Sequence, residues 1–566
     1  MGSLRSNCCL WYAAGLSLLG EPRDSPVIAN ICDYFESCVN ADGGLGPYPG
    51  EPSTPVETAT TLPLLVWAGR SPATVAAARG YLEKNGPEYH DPATEWFRYV
   101  FEPDKRQAIF SDRGPSSLLQ RVLLLASRKH PSERWDLSRK FPRSHRAPGG
   151  FERWLGATLM RALTYPPAGQ LQTAAQLAPQ PIGFDCMLLI TAGIRRLAGD
   201  TSPAALRLAE EANRRRRRFA HHGQFYQFIY PMVADLFYCT AMGLEEERCR
   251  AASAFRSVAY RGNGWLQGPR FSVNVFDTAL TVLALKTAGV KADDPVVQRA
   301  GRFLLDARHP DGFWSWAFDY QEGCHPGQPD TDDSGLAAMV LAWANPGAVP
   351  DAVERLRSMQ ERSGAFSTFG GEVMRPNWCW LSNTSRLLQG MMRSGVEPGD
   401  PQVQLGLNWL RSQQLADGSW VDGWCARYIY GTAIALEALL CARATPQDPA
   451  VARARDWLLK RQNSDGGWGE TWHGAPSRSS AERTGLALYA LSLSANPDDV
   501  PRPAIERGIA WLLDSQRDDG TWEASYFIDF GFGVGFADSQ MPVVWALHGL
   551  GAAIPLLERV TVGSLP

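Results

Sequence analysis

The sequence predicts an all-α protein built from stacked helix pairs, and three observations carry that prediction. A four-residue signature, Trp511, Gln516, Gly520 and Trp522 at offsets 0, +5, +9 and +11, returns upstream as Trp457, Gln462, Gly466 and Trp468 and again as Trp409, Gln414, Gly418 and Trp420. Partial copies extend the series: Phe303, Arg308, Gly312 and Trp314 keep the register with Arg for Gln, and Gln360, Gly364 and Phe366 keep its second half. The closing aromatics at 314, 366, 420, 468 and 522 stand 52, 54, 48 and 54 residues apart, room for two helices and two connections per unit. Strand-type alternation is scarce, whereas the apolar runs have helical length.

Taken in order, residues 8–19 (CCLWYAAGLSLL) form the first apolar run. They superficially resemble a signal-peptide core, and Gly2 with Ser6 fits a loose myristoylation pattern, but the run is read as structure. A faded copy of the repeat follows at Tyr34, Val39, Gly43 and Leu45. Arg214 to Arg218 follow Glu210 and Glu211 in a helical stretch; this basic run reads as a solvated face, with contact to a diphosphate or lipid headgroup as its functional counterpart. His221 and His222 are adjacent and lack metal-ligand spacing. Each later unit reads as an apolar helix such as WLLKRQ, a polar glycine turn such as NSDGGW, then a second apolar helix such as YGTAIALEALLCA at 430–442. Such pairs stack as an open solenoid or close into a ring of inner and outer helices, and the pattern leaves both open. The repeated Gln and Trp are expected to tie one repeat to the next.

Composition narrows the function. At 566 residues the prior is two large domains, and 45% apolar with 56 − 59 = −3 formal charges leaves no bias toward nucleic acid. Tryptophan is in surplus, 20 copies against 16 tyrosines, which points to aromatic surfaces. Eleven cysteines without CxxC spacing, and no HExxH, predict a reducing, cytoplasmic setting with no metal site. No run of 18 apolar residues is present, so no spanning helix is expected, while a peripheral membrane contact remains compatible. The sequence is equally compatible with a homodimer.

The chemistry-bearing feature is Pro329, Asp330, Thr331, Asp332, Asp333, Ser334, Gly335, followed by the apolar run LAAMVLAWA. Carboxylates at a helix start serve as caps, which is the bland account. Phe313, Trp314, Trp316 and Phe318 precede the turn, so aromatic rings and crowded carboxylates are expected in one place.

In its WLxxxQxxDGxW repeats and its DTDD turn the chain resembles the class II terpene cyclases, specifically the squalene-hopene cyclase type, from about residue 27 to 550. The resemblance implies two α-α barrels enclosing an apolar cavity, at 1–262 with degenerate repeats and at 263–566 with the repeats and the acid motif. It also implies that the N-terminal barrel begins later than in typical relatives, without their N-terminal arm. It implies protonation of an unactivated alkene, with Asp332 as donor, Asp330 and Asp333 holding and orienting the proton, and Tyr430 returning it. A lone aspartic acid is ionised at neutral pH; crowding penalises multiple ionisation and keeps a proton on the cluster. Absence of an oxidosqualene-type acid motif favours an alkene over an epoxide. The cations that follow call for aromatic faces without lone pairs, and local motifs matching the family give the lining as Phe276, Trp316, Phe369, Trp424, Phe532 and Phe536. No cofactor is implied, and the substrate is an apolar polyprenyl chain.

Two departures accompany the resemblance. Where relatives carry an Asp and a His four residues apart, this chain reads Asn383 and Leu387, so Asn383, Ser385 or water is expected to activate the donor. Gln540 and Val543 replace late tyrosines, which suggests a shorter cascade and fewer than five rings. Asp293-Asp294, Asp498-Asp499 and Asp518-Asp519 lack the partner acid of a metal-dependent ionisation motif, and the Asp, Cys, His zinc set of a prenyltransferase subunit is not found. The alternatives are a cyclase of a diphosphate-bearing or prenylated-aromatic precursor, diterpene or meroterpenoid, and a non-catalytic helical-repeat scaffold.

Overall fold

The computed structural model describes residues 3–101 except 7, 47 and 86–91; 181–268 except 222–228; and 274–563 except 319–328, 349, 369–378, 423, 424, 426, 473, 474, 477, 497, 498, 526 and 530–534. The chain divides into two compact units, Met1–Ser272 with Val373–Pro376, and Val273–Glu372 with Asn377–Pro566.

In the first unit the apolar run at the start is helix α1 (Cys8–Leu18), buried from Cys8 to Gly15. It packs against α3 (Pro55–Trp67), α5 (Pro92–Phe101) and α8 (Ile229–Met242), with α2 (Pro26–Ser37) and α4 (Pro72–Asn85) beside them. Trp11 stacks on Trp96 at 4.5 Å and meets Phe97 edge-on at 5.0 Å, an aromatic core of the kind the tryptophan surplus suggested. α6 (Pro181–Leu197) packs on α7 (Pro203–His221) and on α8, which in turn carries α9 (Glu245–Arg256). Short strands β1 (Ser3–Ser6), β2 (Ala259–Tyr260) and β3 (Trp265–Gln267) form an antiparallel patch in the order β2-β3-β1, with Leu4 and Tyr260 both opposite Leu266.

The second unit settles the choice between solenoid and ring. Its inner helices, among the described residues, are α10 (Asn274–Thr287), α12 (Thr331–Ala344), α14 (Leu381–Arg393), α16 (Arg427–Cys441), α18 (Ala481–Leu493) and α20 (Met541–Gly563). Each packs on the next, and α20 packs on both α18 and α10, so the ring closes. The outer helices α11 (Pro295–Asp306), α13 (Pro350–Arg357), α15 (Pro401–Ser412), α17 (Pro449–Lys460) and α19 (Arg502–Asp514) lie between successive inner ones. Three of them open on Asp-Pro: Asp294, Asp400 and Asp448 each accept a backbone N–H from the first turn while Pro occupies its start. That signal stands in the sequence and marks outer helices directly.

The repeat residues form a hydrogen-bonded stitch. Trp314, Trp420, Trp468 and Trp522 donate Nε1–H to Leu304, Leu410, Leu458 and Leu512, each ten residues back, at 2.6–2.8 Å. Gln414 Nε2 donates both to Gly418 O of its own turn and to Ala450 O of the next outer helix, at 2.9 Å each. Gln360 and Gln462 repeat the bridge to Gln402 O and Ala504 O, at 2.7 and 2.8 Å. Arg308 Nε reaches Gly312 O at 3.2 Å, so Arg keeps the intra-turn half of the role.

α20 departs from expectation, since Met541–Arg559 is long and apolar enough, by length and composition, to cross a membrane. Here it is the ring-closing helix, with Met541, Trp545, Ala546 and Ala553 buried.

Candidate active site

Repeat turns shape the acid motif before any acidity enters. Asp330 is the N-cap of α12, its backbone extended (φ −127°, ψ 162°), and its carboxylate accepts the Asp333 N–H at 2.8 Å. Its own N–H donates to Trp314 O at 2.8 Å, and Ser334 Oγ accepts the Trp314 N–H at 2.9 Å. Thr331 is pinned on the other side, its N–H donating to Thr368 O and its hydroxyl to Ser367 O, both at 2.8 Å. The turn is thus held between the closing segments of two repeats, and Asp332 and Asp333 ride on its first helical residues. A hydroxyl that accepts the N–H of the closing residue recurs: Thr384 from Phe366, Thr432 from Trp420 and Thr484 from Trp468, at 3.0 Å each, and Thr58 from Leu45 at 2.8 Å.

Asp330, Asp332 and Asp333 are 7%, 7% and 3% exposed. Asp332 Oδ1 and Asp333 Oδ1 have no hydrogen-bond partner among the described residues. Burial pushes the Asp332 carboxyl well above the usual range, the Asp330 and Asp422 charges add to it, and the Arg386 guanidinium opposes it. Asp333 is raised by burial, by the Asp330 charge and hydrogen bond, and by Asp332 and Asp277. Asp330 rises only to about 6, because the hydrogen bonds it receives from Asp333 and the Asp332 and Asp333 amides offset its burial. Burial and mutual repulsion thus both disfavour multiple ionisation of the cluster.

Of the sequence-predicted residues, Phe276 and Trp316 meet at the start of α10: Trp316 O accepts the Val275 N–H at 3.0 Å, and Asn274 clamps Phe318 through Oδ1 and Nδ2. Tyr430 is fully buried on α16, and its ring meets Phe527 at 5.6 Å and Trp545 at 6.0 Å. Phe536 pairs with Ile528 in a short hairpin. Phe369, Trp424 and Phe532 lie outside the described residues.

The surroundings of the acid include a cation that the sequence reading did not single out. Asn383 accepts the Thr368 hydroxyl at 3.2 Å, and Leu387 is fully buried. The basic group whose charge reaches Asp332 is Arg386, one residue before Leu387. Its guanidinium lies 5.9 Å from the Tyr430 ring and 6.0 Å from the Trp545 ring. Neither Arg386 nor Trp545 was singled out by sequence, since each sits inside a helix that reads as generic core. The basic run on α7 is largely engaged: Arg214 and Arg215 bind Glu211, and Arg216 forms a buried pair with Asp235. Among the described residues no group of three His, Cys, Asp or Glu is arranged to hold a metal.

Comparison with known proteins gives two family matches: the squalene-hopene cyclase C-terminal domain over residues 379–539 and the prenyltransferase alpha-alpha toroid domain over residues 1–82. A squalene-hopene cyclase of Schizosaccharomyces japonicus is 33% identical over 323 residues, 49% of this chain and 47% of that protein. A squalene-hopene cyclase of Alicyclobacillus acidocaldarius is 32% identical over 317 residues, 48% of each. The chain thus spans about half the length of these relatives. Among solved structures, the ent-copalyl diphosphate synthase from Streptomyces platensis has the same fold, with a TM-score of 0.59 over 98% of this chain and 96% of that one at 19% identity.

Proposed function

We propose, from the premise that this is a class II terpene cyclase chain of the squalene-hopene cyclase type, that it converts a linear polyprenyl substrate into a polycyclic terpenoid by protonation, without a redox cofactor. The observation that carries the proposal is the buried DTDD turn at the start of α12, where burial and the neighbouring carboxylates push the Asp332 carboxyl well above its usual range. In the first step the alkene π pair takes the Asp332 proton; a C–H bond forms, a tertiary cation is left on the chain and a carboxylate on Asp332. Arg386 stabilises that carboxylate, Asp330 and Asp333 orient and hold the proton, and Tyr430 returns it for the next turnover. Later cations rest on the faces of Phe276, Trp316, Phe369, Trp424, Phe532 and Phe536, each contributing roughly 0.5–2 kcal/mol. Loss of a proton or capture of water ends the cascade. In this reading residues 1–262 and 263–566 are two α-α barrels, and the division of the chain into two compact units after Ser272 supports it.

The test is incubation with squalene, geranylgeranyl diphosphate and prenylated phenols in parallel, with products read by mass spectrometry. Asp332→Asn keeps size and fold, so cyclisation falls by several orders of magnitude while the melting temperature is kept; retained activity sinks the proposal. The diphosphate arm tests the second reading, for which the ent-copalyl diphosphate synthase fold gives only a precedent of architecture. Trp424→Ala is expected to release partly cyclised or early-quenched products, and a uniform rate loss with an unchanged product pattern counts against its lining role.

A further inference from the structure

Behind Arg386, in the same ring, lies a buried constellation of which only Arg386 has a part in the chemistry above. Arg386 Nη1 and Glu437 Oε2 pair at 3.0 Å with side-chain exposures of 2% and 6%. Tyr489 donates its hydroxyl to Glu437 Oε1 at 2.9 Å, and Arg393 approaches the same oxygen at 3.5 Å. Arg386 Nη1 also points to Gln389 Oε1 at 3.5 Å, whereas Nε and Nη2 have no hydrogen-bond partner among the described residues. The guanidinium is thus tied through Nη1 to Glu437, and its charge also reaches Tyr430 and Asp332. Glu437 stands seven residues beyond Tyr430 on α16, about 10 Å of helix.

A fixed cation near a buried acid favours the carboxylate, and an anion behind that cation takes part of the effect away. We propose that Glu437, seated by Tyr489, is a positioning residue that fixes the direction and the effective charge of Arg386, and so sets the pH range over which Asp332 starts the reaction. The inference rests on the reading of Asp332 as proton donor.

The other charged or titratable groups are accounted for. Asp332 is faced by Asp330 and Asp333 on its own helix, by Asp422, Cys425 and Tyr430 at the start of α16, and, through Asp333, by Asp277 of α10. Glu437 is faced by Arg386 and Arg393 of α14, Tyr489 of α18, His548 of α20, Lys286 of α10 and Cys441 of its own helix. Burial pushes His548 down to about 4, so it is neutral across a cyclisation assay near neutral pH.

The test is the pH–rate profile of the full chain, wild type against E437Q. The alkaline limb, which marks loss of the Asp332 proton, is expected to move to lower pH by a few tenths of a unit to about one unit, the range for a buried charge that acts through Arg386 at an effective dielectric near 20. E437D, which keeps the charge, restores the limb. Should E437Q fold poorly, the double variant R386M/E437L removes both charges together; its limb moves the opposite way, to higher pH, with a fall in kcat. Limbs that coincide with wild type in both variants overturn the proposal. Infrared titration of the Asp332 carboxyl, assigned against D332N, reads the same shift without substrate. A wild-type protein that cyclises nothing sinks the donor assignment, while the spectroscopic shift still decides the role of Glu437.

Discussion

Asp330 carries two duties that pull its proton in opposite directions. As a helix cap it works best ionised, and as a member of a crowded buried cluster it is driven toward the neutral acid, which leaves it at about 6. A carboxyl whose folded pKa is raised binds its proton more tightly in the folded chain. It therefore stabilises below its unfolded value, near 3.8, and that contribution is lost as pH rises through about 6. The loss amounts to roughly 2–4 kcal/mol. Asp330→Asn keeps a capping acceptor without the titration, so its melting temperature is expected to gain on wild type between pH 4 and pH 8; parallel curves contradict this. At this scale the sequence was legible where a local pattern fixes a turn, as DTDD does at the capped, buried start of α12. Arg386 and Glu437 were not legible, because their meaning lies in a meeting of two helices 51 residues apart in the chain. The hydroxyls of Ser334, Thr384, Thr432 and Thr484 escaped for a related reason: they follow their aromatic by 20, 18, 12 and 16 residues, and no fixed offset survives the intervening segments.

At the scale of the element, the glycine turn explains why its signature was readable at all. Gly418 sits at φ 97°, and a Cβ there would lie 2.5 Å from Arg453 O, whereas Gly520 at φ 82° has open space around it. Backbone conformation demands glycine at both places, but contact with the next outer helix demands it only at the first. Gly418→Ala is expected to cost about 3 kcal/mol and Gly520→Ala about 1 kcal/mol, from left-handed strain alone in the second case. Urea midpoints of the two variants check the difference, and equal losses contradict it. Outer helices were legible because their turns, bridging Gln and closing Trp keep fixed spacing. Inner helices were legible only as apolar runs, since a helix packed on every side shows no one-sided stripe.

Across the whole molecule, the decisive property of the second unit is that its last helix touches its first. An open stack loses one repeat's worth of stability when its end is trimmed, because each repeat contacts only its neighbours. A chain ending before Met541 removes α20 from between α18 and α10, so the helices of residues 274–514 are expected to melt together and far below the intact protein. Circular dichroism and thermal melts of that truncation test it; a drop of a few degrees with helicity kept argues for stack-like behaviour. Period and helix pairing foretold repeats, but closure depends on the sum of small rotations between neighbours, a quantity no window of sequence contains.

Closure also bears on inheritance. A gene that gained or lost one repeat by unequal recombination would encode a circle with one member too many or too few, and the two ends would no longer meet. Change by whole units is barred, which leaves point substitution within a fixed number of places. Arg308 where other copies have Gln, and Phe366 where others have Trp, show the result. Copies that have lost half their signature stay in the chain because their positions in the circle cannot be vacated.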